Sequence, residues 1–319
     1  MDMDNMTPKE RIWATINRQT VDCPPVDLWC TPEVLDSLRK YTSLEDEMAV
    51  YNKLGIDKIV WVFPGYGGRF FDPNDSGEIT MWGVPTRIVK AGLARYQEYI
   101  NPPIADYMDV SELSDYPYWP DPDNFDYAGA KALAKKARSW NFATIGPWIS
   151  HFEIYCQMRG LENALMDTLA NPDFLDATIQ RIDAIQTVML ERMLVELNDD
   201  LDLVFISDDM GMQDNMLISL DSWEMHFKHR LKNWCDLIHS YGKKVLYHTD
   251  GAVLPLISGL IECGVDILNP IQHVCPGMDM THLKQQYGKD LIFHGGVENQ
   301  HVLPMGTVDE VINETQQCL

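Results

Sequence analysis

The sequence predicts an α/β fold built on a parallel β-sheet. Seven short apolar segments have the length of buried strands, and most are followed by amphipathic stretches with helical spacing. Strands that are apolar along their whole length are typical of parallel sheets covered on both faces. The length of 319 residues fits either two average domains or one (β/α)8 barrel of about 250 residues with an extension.

The elements follow one another as strand and then helix along most of the chain. A first helix begins near Thr7, where Pro8 suits the first turn and Glu10 completes a capping box. A second capping box is predicted at Asp221 with Glu224. The predicted strands, in chain order, are residues 25–29, 58–63, 143–148, 202–207, 244–247, 266–270 and 291–294.

One segment between the second and third predicted strands departs from this order. Residues 78–100 alternate between apolar and polar side chains and contain the turn sequence Trp82-Gly83-Val84-Pro85. We interpret the segment as a β-hairpin excursion rather than as a separate domain. Residues 1–319 are therefore predicted to form a single domain.

The eighth strand of a complete barrel is missing from the pattern. Thr307 and Glu310 form a last capping box, and the helix that they open runs to Leu319 without a stop signal. The two interpretations are a truncated sequence or an unusual closure of the barrel. We expect truncation, because an open edge of a parallel sheet is a liability.

Composition limits the partners and the compartment. The chain carries 25 basic and 48 acidic residues, a net charge of -23 that should repel nucleic acids and anionic membrane surfaces. The seven cysteines form no CxxC pair, which favours a reducing environment. Because no signal peptide and no run of about 18 apolar residues is visible, we expect a cytoplasmic protein.

Polar residues follow four neighbouring strands, at the edge where α/β barrels place their functional groups. We expect these groups to line one site with catalytic, substrate-binding and metal-binding members. The candidates are Asp208, Asp209 and Gln213 after the fourth strand, His248 and Asp250 after the fifth, Asn269, Gln272 and Cys275 after the sixth, and Gly295, Gly296 and Glu298 after the seventh.

His248 and Asp250 are the central pair of this predicted site. If the strand continues, residues two apart share a face and lie roughly 6.6 Å apart along it. An imidazole and a carboxylate can ligate zinc together, or act as a base and its orienting partner. The alternative is structural: Asp250 caps the next turn and His248 is a satisfied core histidine.

The other candidates have weaker patterns and structural alternatives. Asp208 and Asp209 point to opposite sides of a strand, so at most one should face the site. His273 and Cys275 have a spacing compatible with a soft metal ion, although one HxC is common by chance. Glu298 is a candidate acid, base or ligand, and the two glycines before it would let a substrate approach the backbone.

Several of these motifs together resemble one known family. They are Ser207-Asp208-Asp209-Met210-Gly211-Met212-Gln213, His248-Thr249-Asp250-Gly251, residues 264–272, Gly295-Gly296, Arg159-Gly160-Leu161-Glu162 and Trp82-Gly83-Val84-Pro85. This combination resembles the uroporphyrinogen decarboxylase superfamily, which includes corrinoid-linked methyltransferases. The resemblance spans almost the whole chain and implies a TIM-like (β/α)8 barrel.

The sequence departs from the decarboxylases of that superfamily at their substrate-binding arginines. Those enzymes carry Arg-Gln-Ala-Gly-Arg after the first strand, whereas here residues 30–33 read Cys-Thr-Pro-Glu and the first basic residue beyond them is Arg39. Without that arginine pair, a strongly acidic chain is badly suited to a substrate with eight carboxylates. We therefore do not expect uroporphyrinogen decarboxylation.

The methyltransferase branch of the family uses a zinc ion that is held by a His-x-Cys motif after the fifth strand and by a further Cys. His248 matches the histidine, but Asp250 stands where the Cys would be. A harder site, with His248, Asp250 and Cys275 or Glu298 as ligands, suits an oxygen or nitrogen methyl donor better than a thiol.

The leading hypothesis is methyl transfer from a small methylated compound to a corrinoid carried by a partner protein. A metal ion or a proton at His248 and Asp250 would activate the leaving heteroatom, while Asp208 or Asp209, Gln213 and Glu298 orient the substrate. Two alternatives stay open. One is a carboxy-lyase that acts on a different carboxylated substrate without a metal, and the other is a non-catalytic binding subunit.

Overall fold

The structure, a computed structural model, describes residues 6–68, 78–92 and 94–319. These residues form two compact units. The N-terminal unit consists of Met6–Ile12 and Pro25–Asp202, and the C-terminal unit contains Trp13–Pro24 and Leu203–Leu319.

The N-terminal unit contains a parallel strand pair and two antiparallel pairs. Its strands are β1 (Ile59–Trp61), β2 (Gly65–Tyr66), β3 (Thr86–Ala91), β4 (Ala94–Tyr99), β5 (Phe125–Asp126) and β6 (Ala143–Ile149). Strands β1 and β6 are parallel, with Ile59 beside Ala143. Strands β2 and β5 pair antiparallel, and so do β3 and β4, inside the segment for which a hairpin is predicted.

The helices of this unit lie before β1, between its strands and after β6, and the first of them continues into residues 13–16 of the C-terminal unit. They are α1 (Pro8–Ile16), α2 (Pro32–Thr42), α3 (Glu47–Leu54), α4 (Tyr127–Ser139), α5 (Phe152–Arg159), α6 (Leu161–Ala170) and α7 (Pro172–Leu197). Met48 and Tyr51 of α3, Val60 of β1, Ala137 of α4 and Phe142 form one buried apolar group. Burial of this group holds helices α3 and α4 to strand β1.

The C-terminal unit is a parallel sheet whose strands alternate with helices. The strands are β7 (Leu203–Ser207), β8 (Lys244–His248), β9 (Ile267–Asn269) and β10 (Ile292–Phe293), and each pairs in parallel with the next. The helices are α8 (Leu220–Trp223), α9 (His229–Ser240), α10 (Ile257–Cys263), α11 (Met280–Tyr287), α12 (Val302–Met305) and α13 (Val308–Cys318). A π-helical turn, Glu224–Lys228, joins α8 to α9.

The α/β class is confirmed, and six of the seven predicted segments contain a parallel strand. The prediction of a strand at residues 25–29 is wrong. The described chain there forms no strand ladder and is held by individual hydrogen bonds, one of them from the Asp57 N–H to the Val26 carbonyl oxygen at 2.7 Å. The Asp57 carboxylate accepts a hydrogen bond from the Val26 N–H at 2.8 Å, and Asp27 Oδ1 accepts one from the Ile59 N–H at 3.1 Å.

Of the three predicted capping boxes, the two near the ends of the chain are confirmed and the one in between is wrong. Thr7 with Glu10 and Thr307 with Glu310 form the expected capping boxes. The predicted box of Asp221 with Glu224 is wrong, because Ser219 caps α8 by accepting a hydrogen bond from the Ser222 N–H at 3.1 Å. Ser219 precedes the first helical residue and has the extended backbone that an N-cap needs.

Replacing Lys58 with alanine should destabilise the N-terminal unit strongly. Lys58 and Asp27 are both buried, and the Lys58 Nζ donates to Asp27 Oδ1 at 3.2 Å and to the Leu28 carbonyl at 2.9 Å. Loss of the ammonium leaves a buried carboxylate without its counter-charge, which costs about 3–5 kcal/mol of unfolding free energy. Urea denaturation measures this change.

The matched control is Lys131→Ala in the same unit. Lys131 pairs with Glu196 at 3.1 Å on the surface, where at least a third of each side chain is exposed to solvent. Such a pair contributes about 0–1 kcal/mol. Equal losses in the two variants would contradict the assignment of the Asp27 and Lys58 pair as a buried link between residues 25–29 and β1.

Candidate functional site

The candidate site lies in the C-terminal unit, where the loops after β7 and β8 touch. Gly251, at φ +89°, lies so close to the β7 loop that a Cβ there would stand 2.5 Å from the Met212 carbonyl oxygen. That same carbonyl accepts a hydrogen bond from the Ala252 N–H at 2.8 Å, and the buried Thr249 hydroxyl accepts one from the Met210 N–H at 2.9 Å. The glycine is therefore needed for contact between two protein loops.

This contact brings together the side chains of Asp209, His248 and Asp250. His248 Nε2 lies 3.7 Å from Asp209 Oδ1 and 3.7 Å from Asp250 Oδ2. One ligand atom from each of the three lies within 4.8 Å of the other two. Strand β8 ends at His248, so the turn that follows it, rather than a continued strand, sets Asp250 beside the imidazole.

The two adjacent aspartates have different environments. Asp208 is buried, and its N–H donates to the His248 carbonyl oxygen at 3.1 Å. The side chain of Asp209 is about half exposed, faces His248, and accepts a hydrogen bond from the Asp250 N–H at 3.1 Å. Of the two candidate aspartates, the structure places Asp209 beside the imidazole.

The Asp250 carboxyl holds its proton more tightly than an ordinary aspartate does. Burial raises its pKa, the positive charge that His248 can carry lowers it, and the negative charge of Asp209 raises it. The net direction is upward. Two carboxylates that face one small space are best neutralised by a cation or by a shared proton.

Asn269 and His294 lie on the other side of the His248 ring. Nδ1 of His248 is 2.7 Å from Asn269 Oδ1, and Asn269 Nδ2 is 2.7 Å from Nδ1 of His294. The Phe205 ring packs beside the imidazole, with 5.7 Å between ring centroids. The ring of His248 is thus held by contacts on its edge and on its face.

Gln272, Gln213 and Cys275 form a second polar group beside the loop of Asp250. Gln272 Oε1 accepts from the Gly251 N–H at 3.0 Å, and its Nε2 donates to Gln213 Oε1 at 3.0 Å. Cys275 Sγ lies 3.8 Å from the same Gln213 oxygen, and burial raises the pKa of its thiol. Cys275 is not a member of the group that contains Asp209, His248 and Asp250.

Glu298 and the glycines before it support the loops. The Glu298 carboxylate accepts hydrogen bonds from the backbone N–H groups of Gln300, His301 and Val302 at 2.6–2.8 Å. Gly295 has φ +72°, and a Cβ there would lie 2.9 Å from Asn269 Nδ2, while Gly296 lies against Met280 and Cys318. A side chain at either glycine would therefore meet protein atoms of the neighbouring loops.

The sequence patterns missed His294 as a neighbour of Asn269 and missed Glu314 altogether. Glu314 Oε1 accepts from the Glu298 N–H at 3.2 Å and lies 2.6 Å from His273 Nε2. Glu314 lies within α13, far along the chain from both partners, and no local pattern distinguishes it. His273 Nε2 thus faces a carboxylate from another element of the C-terminal unit.

The imidazole and the two carboxylates make a chemically coherent set of metal ligands. Imidazole nitrogen and carboxylate oxygen both ligate zinc at about 2.0–2.2 Å, which at tetrahedral angles separates ligand atoms by about 3.4 Å. The 3.7 Å separations between His248 Nε2 and each carboxylate are close to that spacing. The residues therefore fit a divalent first-row ion that accepts nitrogen and oxygen ligands.

The chain belongs to the uroporphyrinogen decarboxylase (URO-D) family, which matches residues 83–319. A methyltransferase from Methanosarcina mazei has a similar structure, with a TM-score of 0.67 and 15% sequence identity over 98% of this chain and 90% of that protein. No curated protein matches the chain in sequence. None of the helices within residues 6–68, 78–92 and 94–319 is long and apolar enough to cross a membrane.

Replacing Glu298 with alanine should destabilise the C-terminal unit by about 1–3 kcal/mol, because three backbone N–H groups lose a buried acceptor. Urea denaturation at pH 7 measures the loss. Glu262→Ala is the control, since Glu262 is exposed and pairs with Lys228 on the surface, an interaction worth about 0–1 kcal/mol. A loss no larger than that of the control would contradict the role of Glu298.

The contribution of Glu298 should also depend on pH. Burial raises the pKa of this carboxyl, but the three N–H donors outweigh it and lower the pKa from 4.5 to about 2. A lowered folded-state pKa stabilises the protein fully above pH 4.5, and this stabilisation is lost as the pH falls towards 2. The stability difference between wild type and Glu298→Gln should therefore narrow below pH 4.5. A constant difference from pH 7 to 3 would contradict this assignment.

Proposed function

We propose that this protein transfers a methyl group from a small methylated compound to a corrinoid carried by a partner protein. The observation that carries the proposal is the convergence of His248, Asp209 and Asp250 at the carboxyl ends of β7 and β8. Membership of the URO-D family and the likeness to a methyltransferase structure support it. We further propose that the parallel strands belong to a (β/α)8 barrel.

The three converging side chains would hold a zinc ion or another divalent ion. When bound, such an ion supplies Lewis-acid activation of the heteroatom that leaves the methyl group. His248 contributes Nε2, and Asp209 and Asp250 contribute one oxygen each. Because two of the three ligands are carboxylates, the site favours an oxygen or nitrogen leaving atom over a thiolate.

Without a metal ion, the same residues can supply a proton to the leaving group. The pKa of Asp250 is raised, so this carboxyl keeps a proton at higher pH than an ordinary aspartate. As the methyl-to-heteroatom bond breaks, Asp250 would donate that proton to the departing oxygen or nitrogen.

Asp209 and Gln213 are the residues that we assign to substrate orientation. The Asp209 side chain is half exposed, and Gln213 lies on the loop that follows the same strand. We assign Asp208 and Glu298 to support, because Asp208 is buried and the Glu298 oxygens are engaged by backbone donors. Asn269, Gln272, Gly295 and Gly296 likewise act through the loops.

Substitution of His248 by alanine should abolish stoichiometric zinc binding and lower methyl transfer by at least about 100-fold, the size of effect typical of a residue that acts at the reacting group. Metal analysis of freshly purified protein and a methyl-transfer assay with a corrinoid protein measure the two effects. His282→Ala, which removes an exposed histidine from α11, is the matched control.

Two results would contradict the metal version of the proposal. One is full activity of a metal-free enzyme, which would leave the Asp250 proton as the activating group. The other is unchanged zinc content in the His248 variant. Binding of methylated compounds without any turnover would instead favour a non-catalytic binding subunit.

The second candidate is a carboxy-lyase, which the match to the URO-D family favours. Release of carbon dioxide from uroporphyrinogen is the direct assay, and we expect none. Arg39, the first basic residue beyond residues 30–33, pairs with Asp36 of its own helix at 3.0 Å. Decarboxylation of uroporphyrinogen at a rate above the uncatalysed reaction would reverse the order of the two candidates.

A further inference from the structure

We infer that Asn269 is a positioning residue that sets the tautomer of His248, so that Nε2 is the nitrogen that receives a cation at the site. This inference rests on the proposed function in one respect, namely that the cation is a metal ion or the proton used in catalysis. It replaces the earlier expectation that Asn269 binds the substrate.

The orientation of the Asn269 amide follows from its contacts with His294. One end of the amide lies 3.2 Å from the main-chain oxygen of His294, and a carbonyl oxygen can only accept hydrogen bonds. That end must therefore be the Nδ2 amino group, because the reverse orientation would set two oxygens against each other. The same amino group donates to His294 Nδ1 at 2.7 Å.

This orientation directs Asn269 Oδ1 at the His248 ring. Oδ1 is 2.7 Å from His248 Nδ1, and an amide oxygen is only an acceptor. Nδ1 must therefore carry a proton. In the neutral ring the remaining lone pair is then on Nε2, the atom that faces the carboxylates of Asp209 and Asp250 at 3.7 Å.

As a consequence, three hydrogen-bond acceptors lie close together at the site. Nε2 of His248 and the oxygens of Asp209 and Asp250 all present lone pairs to one small space. Such an arrangement is stabilised by a cation between the three atoms, whether a metal ion or a proton bound to one of them. If Nε2 carried the only ring proton instead, the imidazole could not act as a ligand through that atom.

The backbone around Asn269 explains why the amide cannot turn away. Asn269 is buried, and its carbonyl oxygen accepts from the Thr249 N–H at 2.9 Å, which ties the end of β9 to the loop after β8. A side chain on residue 295 would lie 2.9 Å from Asn269 Nδ2, so Gly295 leaves the space that the amide fills. Asn269 is thus placed by its neighbours and not by a ligand.

Nitrogen-15 NMR of the metal-free protein, with the histidine rings labelled, tests the inference directly. The His248 signals are identified by their loss in His248→Gln. We expect a protonated Nδ1 and an unprotonated Nε2 in the wild type, and zinc should shift the Nε2 signal. A neutral ring with its proton on Nε2 would overturn the inference, and this measurement needs no variant of Asn269 to fold.

Two variants separate positioning from mere stability. Asn269→Leu removes the acceptor, so both tautomers should be populated and zinc affinity should fall about 10–100-fold, as for other residues that orient a metal ligand. Asn269→Asp keeps an oxygen towards Nδ1 and should retain the protonated Nδ1, but its second oxygen faces the His294 main-chain oxygen, so its tautomer and not its zinc affinity is compared. An Asp variant without a protonated Nδ1, or a Leu variant with the wild-type tautomer, would overturn the inference.

Asn163→Leu is the matched control, because Asn163 also donates to a backbone carbonyl, that of Ala105, but in the N-terminal unit. Its His248 signals and zinc affinity should equal those of the wild type. The outcomes also separate this inference from the proposed function. A wild-type ring with protonated Nδ1 that takes up no zinc supports the role of Asn269 and contradicts the metal version of the mechanism.

Discussion

The parallel register that sets Ser207 beside His248 is the constraint on which the candidate site depends. It aligns the ends of β7 and β8, so that the loops that follow leave the sheet together. The N–H of Asp208 then meets the carbonyl of His248, and the Asp250 N–H meets the carboxylate of Asp209. A shift of this pairing by one residue would turn the side chains of the shifted strand to the opposite face of the sheet.

The charges of the three side chains determine the chemistry that this arrangement favours. Two carboxylates and an imidazole nitrogen share one small space in a protein whose net charge is already -23. The raised pKa of Asp250 reflects burial and the charge of Asp209. An uncompensated pair of carboxylates is unfavourable, and a cation or a proton between the two would relieve their repulsion.

Many polar residues near the carboxyl ends of the strands form hydrogen bonds that join loops. Glu298 engages three backbone donors, Gln272 joins the loops that follow β7 and β8, and Glu314 joins α13 to the loops that follow β9 and β10. The bonds of Gln272 restrict the loops that carry Asp209 and Asp250. Rigid support of this kind keeps reactive side chains in position without contact between the support and a substrate.

The sequence by itself determined the α/β class, most of the strands and the family, and it predicted the place of the candidate site. Apolar runs, capping boxes and the motifs around His248 are local patterns, and each can be recognised without knowledge of the fold. Only the tertiary structure decided which of Asp208 and Asp209 faces His248, and that Asp209 rather than Cys275 joins His248 and Asp250. It also showed that residues 25–29 form individual hydrogen bonds with residues 57 and 59 instead of a strand ladder. These choices depend on turns and on contacts between residues distant in the chain, which local spacing does not encode.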